Sequence, residues 1–322
     1  MKKIAFLLLA CFLLFAILAC DTPSPEPPAE KETVTVSLCE GDLTLYTLSL
    51  EKNTALDPAA LPKTVGGRRI LALDYDGAIL SADTALSVIT APADADVIPF
   101  VKDAPVMDGV RDAAYADALT LSHDGEHAVY PAANKRAGDP IHPGVGEIFA
   151  DISFLWDGSY LYCFVEVLDE TLVSAGTDYI NSTENPFKND TVELWYSFGT
   201  RRDFLKQGLD AYGHKLFAGG GVNQSEYLTA IRASGLYGAA QGDGYYTVEF
   251  AIRMAEESSE GGAALTVGDR LYAGLEILDI VTSDPASAYF EKYCSTGVQC
   301  LTLDADDMAL VWELFLGGSL VP

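Results

Sequence analysis

Basic residues are scarce in this chain: 20 lysines and arginines stand against 47 aspartates and glutamates, which gives a formal net charge of -27. A surface of that sign repels phosphate groups, so nucleic acid and anionic membrane surfaces are disfavoured partners. The acidity instead suits a soluble exported surface, or sites for hard cations such as calcium, which prefer oxygen ligands.

Cysteine is also sparse, with six residues, two of which lie in an apolar N-terminal segment. The other four are Cys39, Cys163, Cys294 and Cys300. They do not form a disulfide framework, and the absence of a Cys-x-x-Cys pair argues against a zinc site. A bridge between Cys294 and Cys300 stays open, because spacing alone does not decide it.

Helical periodicity is nearly absent, whereas short alternating strands recur and are separated by turns. The predicted strands of residues 97–322 are Ala118–Ser122, Ile152–Trp156, Leu161–Val167, Val192–Phe198, Tyr245–Ile252, Leu271–Ile280 and Val298–Leu303. Many short strands without helices favour a β-sandwich. Residues 33–92 hold a separate group of short strands, with turns at Glu40–Asp42 and Gly66–Gly67. The fold class is therefore all-β, with a small N-terminal domain.

The N-terminus has the pattern of an export signal. Lys2 and Lys3 precede an apolar run from Ile4 to Leu18, which is too short for an ordinary membrane-spanning helix. The run ends in Ile17-Leu-Ala-Cys20, which resembles the lipobox of bacterial lipoproteins. Residues 1–20 are therefore predicted to be a lipoprotein signal with Cys20 as the lipidated residue. Lipidation would hold the chain at the outer face of the cell membrane, and the proline-rich residues 21–32 would form a tether.

The stretch Asn185–Phe198 is the first candidate binding site. Asn185-Pro186 favours a turn, and the next residues alternate as a strand with Val192, Leu194 and Tyr196 on one face. Binding residues are often mounted on loops that a rigid sheet positions. The loop residues before this strand are therefore candidates for ligand contact.

Five ordered motifs resemble a family 9 carbohydrate-binding module, a member of the DOMON-like sandwich group. The motifs are Pro105–Tyr115, Phe154–Tyr162, Val165–Asp169, Asn185–Glu193 and Gly244–Ile252. The resemblance extends from about Val97 to Leu303. It implies a β-sandwich that binds a polysaccharide or oligosaccharide, such as a plant or cell-wall glycan, without catalysing a reaction.

In sugar-binding members of that family two tryptophans clamp a sugar ring. The resemblance places the clamp at Phe187 and Phe290, and phenylalanine keeps the stacking surface with less area and no indole donor. It also implies sugar contacts for Lys188, Asn189, Glu193 and His214. Asp169, Asp190 and Asp279 are the candidate ligands for the calcium that this family binds.

Residues 33–92 resemble the β-grasp repeats of internalin-type surface proteins, through Leu43–Pro58, Leu61-Pro62 and Ile70–Tyr75. The Gly-Trp usual at the later strand is replaced here by Ala72-Leu73. The resemblance implies a spacer or adhesion domain without catalytic residues.

Two other functions compete with sugar binding. DOMON-like sandwiches include haem-binding electron-transfer modules, for which Met107, Met254 and His214 are the candidate ligands. A structural adhesin that binds no sugar is the other alternative. A metalloprotease is disfavoured, because the string His123-Asp-Gly-Glu-His127 contains a glycine and follows a strand-like segment, whereas that chemistry needs both histidines on one face of a helix.

Overall fold

The computed structural model describes residues 31–122, 127–131, 149–169, 190–199, 205–210, 228–234, 245–254, 265–280, 289–294 and 311–318. The fold is all-β, as the sequence predicts, and the described ranges include short 3-10 helices at Pro58–Ala60 and Ala113–Asp117. Among the described residues, no helix has both the length and the hydropathy needed to cross a lipid bilayer.

The N-terminal sheet occupies residues 33–92. Strands β1 to β7 are Thr33–Glu40, Leu43–Glu51, Thr54–Ala55, Thr64–Val65, Arg68–Leu73, Ile79–Leu80 and Thr84–Pro92. Five of them form a sheet in the order β2-β1-β7-β5-β4, in which β1 and β7 run parallel and the other neighbours antiparallel. The alternating residues Val34, Val36 and Leu38 of β1 are buried in a core drawn from this part of the chain. The resemblance to β-grasp repeats stays a prediction.

Both predicted turns of this sheet are present. Gly41 lies between β1 and β2, and Gly66 and Gly67 lie between β4 and β5. All three have positive φ, between 55° and 75°. That region strains residues with a Cβ atom, so glycine is the residue that these tight turns require.

The remaining strands, β8 to β19, build the β-sandwich. They are Asp96–Ile98, Leu119–Ser122, His127–Pro131, Phe149–Trp156, Tyr160–Leu168, Thr191–Phe198, Leu205–Asp210, Leu228–Ser234, Tyr245–Arg253, Arg270–Ile280, Tyr289–Cys294 and Trp312–Leu316. One sheet, here called the Glu249 sheet, has the order β15-β16-β12-β11-β9. The other, the Glu193 sheet, has the order β10-β18-β17-β13-β14, with β19 beside β17 and β8 beside β19.

The sandwich core lies between these two sheets. Alternate residues of β11, β12, β13, β16 and β17 point into it, and they include Phe154, Val165, Leu194, Phe250 and Leu275, all fully buried. The inward row predicted for β13, from Val192 to Tyr196, is confirmed. The outward rows of both sheets are therefore the surfaces on which polar and functional groups are mounted.

The N-terminal sheet is docked on the sandwich through the C-terminal strand. The amide of Gly318, two residues after β19, donates to the carbonyl of Leu71 in β5 at 2.7 Å. Leu71, Ala91 and Phe315 share a small apolar cluster that joins the two parts. A Cβ atom on Gly318 would lie 2.9 Å from the Cβ atom of Ala72. Glycine at this position is therefore what allows the close approach.

Candidate functional site

The outward face of the Glu193 sheet carries two neighbouring carboxylates. Glu193 on β13 lies directly opposite Glu276 on β17, and both side chains are buried, at 4% and 2% exposure. Directly opposite residues of an antiparallel pair have Cβ atoms about 4.5–5.5 Å apart, so these side chains are neighbours. Trp195, the next outward residue of β13, is half-buried. The sequence predicted this polar row but did not predict its burial.

Several predicted sugar contacts lie outside the described residues. They are Phe187, Lys188, Asn189 and His214, and the lipidation residue Cys20 lies outside as well. Phe290 is described as part of β18, where it pairs with Ile280 of β17. β18 spans Tyr289–Cys294 and precedes β19, and the role of Phe290 in a sugar clamp stays a prediction. The proposed strand Val298–Leu303 and Cys300 also lie outside the described residues.

The register of the Glu193 sheet brings Asp190 and Phe290 to the same end of that sheet. Thr191 pairs with Leu278, so Asp190 comes next to Asp279, and Asp279 pairs with Glu291 of β18. Two strand spacings, about 10 Å in all, therefore separate Asp190 from the neighbourhood of Phe290. Phe187 precedes Asp190 by three residues in the sequence and lies outside the described residues.

Three aspartates meet at one end of the sandwich. Asp169 follows Val167 in the inward row of β12, Asp190 precedes Val192 in that of β13, and Asp279 follows Ile277 in that of β17. Each apolar row thus ends in a carboxylate at the same end of the core. All three side chains are buried, and one carboxylate oxygen of each lies within 4.8 Å of the others. The structure therefore brings together the residues that the sequence grouped.

The aspartate cluster fits a hard cation such as calcium. Three buried carboxylates in close contact repel one another strongly unless a positive charge or bound protons offset them. Calcium binds oxygen ligands at 2.3–2.6 Å, so two of its ligand oxygens can lie up to about 5 Å apart. The separation of the three carboxylate oxygens, within 4.8 Å, falls below that limit. A calcium ion bound here would offset the charge of the three carboxylates. It would also link β12 of one sheet to β13 and β17 of the other.

Glu249 is a buried carboxylate that the sequence did not single out. It lies on the outward row of β16 and is fully buried, because residues 104–117 cross this face of the sheet. Its Oε2 atom accepts hydrogen bonds from the Asp108 and Gly109 amides at 3.1 and 2.9 Å. The Thr247 hydroxyl donates to the Gly109 carbonyl. These contacts fasten the motif Pro105–Tyr115 to the sheet.

Burial gives Glu249 an unusual titration. Loss of hydration raises its pKa to about 7, with Asp108 adding to the rise, while the amides of Gly109 and Asp108 and the Tyr115 hydroxyl oppose it. Burial and the nearby Glu249 also raise the pKa of Tyr115. Between the ordinary carboxyl pKa and about 7, the folded protein therefore holds a proton that the unfolded chain releases.

We expect this proton to make folding stability depend on pH. The contribution is fully present below the ordinary carboxyl pKa and is lost as pH rises through about 7, because the raised pKa favours the folded state only while Glu249 is protonated. From pH 5 to pH 8 the wild type should lose on the order of 1–2 kcal/mol of unfolding free energy relative to Glu249→Gln, whose amide does not titrate. Urea unfolding of both proteins across this range measures the difference. Identical pH profiles would contradict it.

The two candidate methionine ligands for haem do not share a site. Met107 packs against the cluster around Tyr115 on the outward side of the Glu249 sheet. Met254 is buried between the two sheets of the sandwich. Since a sheet lies between them, they cannot ligate the same iron. The third candidate ligand, His214, lies outside the described residues, so the pairing of one methionine with this histidine stays a prediction.

The string His123–His127 lies between two strands, and its first four residues are outside the described part of the chain. It follows β9 of the Glu249 sheet and leads into β10 of the Glu193 sheet, and His127 is the first residue of β10. The chemistry requires both histidines on one helix, with the glutamate between them. A residue in a β-strand does not meet that requirement.

Comparisons with known proteins give similar folds at low identity. No protein-family model and no curated protein matches the sequence. A family 9 carbohydrate-binding module of Caldicellulosiruptor kristjanssonii, solved with cellotriose, is 19% identical with a TM-score of 0.46, over 70% of this chain and 94% of that one. The same kind of module solved with glucose gives 20% identity and a TM-score of 0.45, over 70% and 97%. A Bacteroides uniformis protein with a suggested carbohydrate-binding role gives 9% and 0.38, over 59% and 86%.

Proposed function

We propose that the β-sandwich binds carbohydrate, without catalysis, at the end of the Glu193 sheet where β13 and β18 flank β17. The supporting observation is the strand register, in which two strand spacings, about 10 Å, separate Asp190 from Phe290. Phe187 precedes Asp190 by three residues in the sequence. A pyranose ring fits in the gap between two aromatic rings that face each other. Phe187 and Phe290 are the proposed stacking residues, as the motif resemblance implies.

The chemistry of this region suits a sugar ring. Aromatic faces pack against the C-H faces of sugars, while polar groups at the ring edge bond to hydroxyls. Glu193 lies on the outward face of the same sheet and is the proposed hydroxyl acceptor, with Lys188, Asn189 and His214 as further contacts. Because the chain is strongly acidic, neutral glycans are preferred over anionic ones.

Calcium is the proposed resident cation, bound by Asp169, Asp190 and Asp279. The three acids lie at the start of β13 and near the ends of β12 and β17. Asp190 directly follows Asn189, so a cation here would fix the point at which the loop carrying Phe187 joins the sheet. Its proposed role is structural, since it holds the binding loop in place.

The sandwich is proposed to work at the outer face of a bacterial cell membrane. This proposal is supported by the N-terminal signal pattern and by Cys20, with residues 21–32 as tether and residues 33–92 as a spacer between membrane and sandwich. Multiple acylation of one cysteine gives stable anchoring. Labelled fatty acid should enter the wild type and not Cys20→Ala, and equal labelling of both would refute the anchor.

A glycan array tests carbohydrate binding directly. The exported chain, in calcium-containing buffer, should bind at least one class of neutral plant or cell-wall glycan and should bind uronic-acid polymers less well. Absence of binding to every glycan would reject the proposal. A Soret band on addition of haem would then support the electron-transfer alternative, and its absence would leave the structural adhesin.

A further inference from the structure

A cleft opens on the outward face of the Glu249 sheet, on the side of the sandwich opposite the outward face of the Glu193 sheet. Ser122 of β9 pairs with Asp151 of β11, which pairs with Glu166 of β12. In the next outward row Phe149 pairs with Leu168. These five side chains line a cleft of about 400 Å³, here called the Phe149 cleft.

The Phe149 cleft begins where the cover of this sheet stops. Phe164, Leu155 and Tyr162 on the same face are buried under residues 104–117. The Arg111 guanidinium marks the edge of that cover, because it lies over the Phe164 ring and donates to Glu166 at 2.7 Å. Beyond it, Phe149 and Leu168 are 58% and 48% exposed.

The polar groups of the cleft are held in defined positions around the exposed ring. The Ser122 hydroxyl donates to Asp151 Oδ1 at 2.6 Å, and Arg111 orients Glu166. A carboxylate has about four acceptor sites, so one such bond leaves Asp151 and Glu166 able to accept more. Asp151 and Glu166 carry two negative charges, and Arg111 carries one positive charge. The cleft therefore has a net negative charge, which disfavours anionic ligands.

We propose that the Phe149 cleft is a second carbohydrate-binding site, which binds one neutral sugar unit of a glycan. The sugar ring stacks on Phe149 and Leu168, and its hydroxyls donate to Asp151 and Glu166. This face is separated from Phe290 and Glu193 by the whole core, so it can bind whether or not the site on the Glu193 sheet does. Two contacts on opposite faces would let one protein bridge neighbouring glycan chains and would raise its avidity for polysaccharide over short oligosaccharides.

Affinity electrophoresis tests the second contact, with soluble mixed-linkage β-glucan, xyloglucan and mannan in the gel as probes. Phe149→Ala should weaken retardation by about 3- to 10-fold, as removal of one exposed stacking ring does. Leu43→Ala is the matched control, because Leu43 is 61% exposed on the N-terminal sheet, and it should bind as the wild type does. Melting temperatures should agree within about 2 °C, since removing an exposed side chain leaves no cavity.

The variants separate this proposal from the one for the Glu193 sheet. If Phe187→Ala weakens retardation and Phe149→Ala does not, the Phe149 cleft is not a sugar contact and the first site stands. Residual binding in Phe187→Ala that disappears in the double variant supports the second contact. A wild type that no probe retards overturns it, as does an equal effect of Phe149→Ala and Leu43→Ala.

Discussion

Chelation of calcium is expected to lower the melting temperature of this protein by on the order of 5–10 °C, with full recovery when calcium is restored. A ligand at about 100 times its Kd stabilises the folded state by about 2.7 kcal/mol, and for a domain of 150–250 residues each kcal/mol shifts Tm by about 2–4 °C. Asp169, Asp190 and Asp279 are buried and adjacent, so removing the cation also restores their mutual repulsion. Magnesium should replace calcium poorly, since it demands tighter octahedral geometry.

The variant Asp190→Asn identifies the site of this effect. It removes one of three charges and one strong ligand, so its melting temperature should respond much less to calcium than that of the wild type. Asp151→Asn is the control, because Asp151 is an exposed carboxylate on the other sheet, and it should respond as the wild type does. Equal melting temperatures with calcium and with chelator would show that protons or protein cations neutralise the cluster.

Phe187→Ala is expected to weaken glycan binding by about 30-fold, which corresponds to about 2 kcal/mol for truncation of a central aromatic anchor. Folding stability should change little, because a ring that stacks on sugar packs against few protein atoms. Phe154→Ala is the contrasting control: Phe154 is fully buried in the sandwich core and its truncation should cost about 3–5 kcal/mol of stability.

Titration calorimetry and thermal melts on both variants measure these effects. If Phe187→Ala loses stability as Phe154→Ala does and keeps its affinity, Phe187 belongs to the packing of the protein and the clamp is wrong. Phe290→Ala should repeat the loss of affinity, since the two rings are proposed to hold the same sugar.

Local sequence patterns predicted the strands but could not predict which strands meet. Alternation along Val192–Phe198 identified both the strand and its inward face, because a buried face imposes a period of two. The parallel pairs β1 with β7 and β8 with β19 join residues far apart in the chain, and no local pattern specifies such a pairing. The same is true of the Gly318 contact with Leu71, since the sequence shows a glycine without showing what it approaches.

The candidate site was predictable to the same extent. The family resemblance pointed to Asp169, Asp190 and Asp279, and in the structure each of them continues the apolar period-two row of its strand. The burial of Glu193 and Glu249 was not visible, because each alternates with apolar neighbours as a solvent-exposed residue would. Their burial depends on the segments that cover the outward faces, such as residues 104–117, and that packing is tertiary.

A crystal structure with an array-selected oligosaccharide tests the central claim most directly. The account predicts a sugar ring at the end of the Glu193 sheet, between the rings of Phe187 and Phe290, with a hydroxyl donating to Glu193. Oligosaccharide bound only elsewhere, or Phe187 and Phe290 at opposite ends of the sandwich, would contradict it.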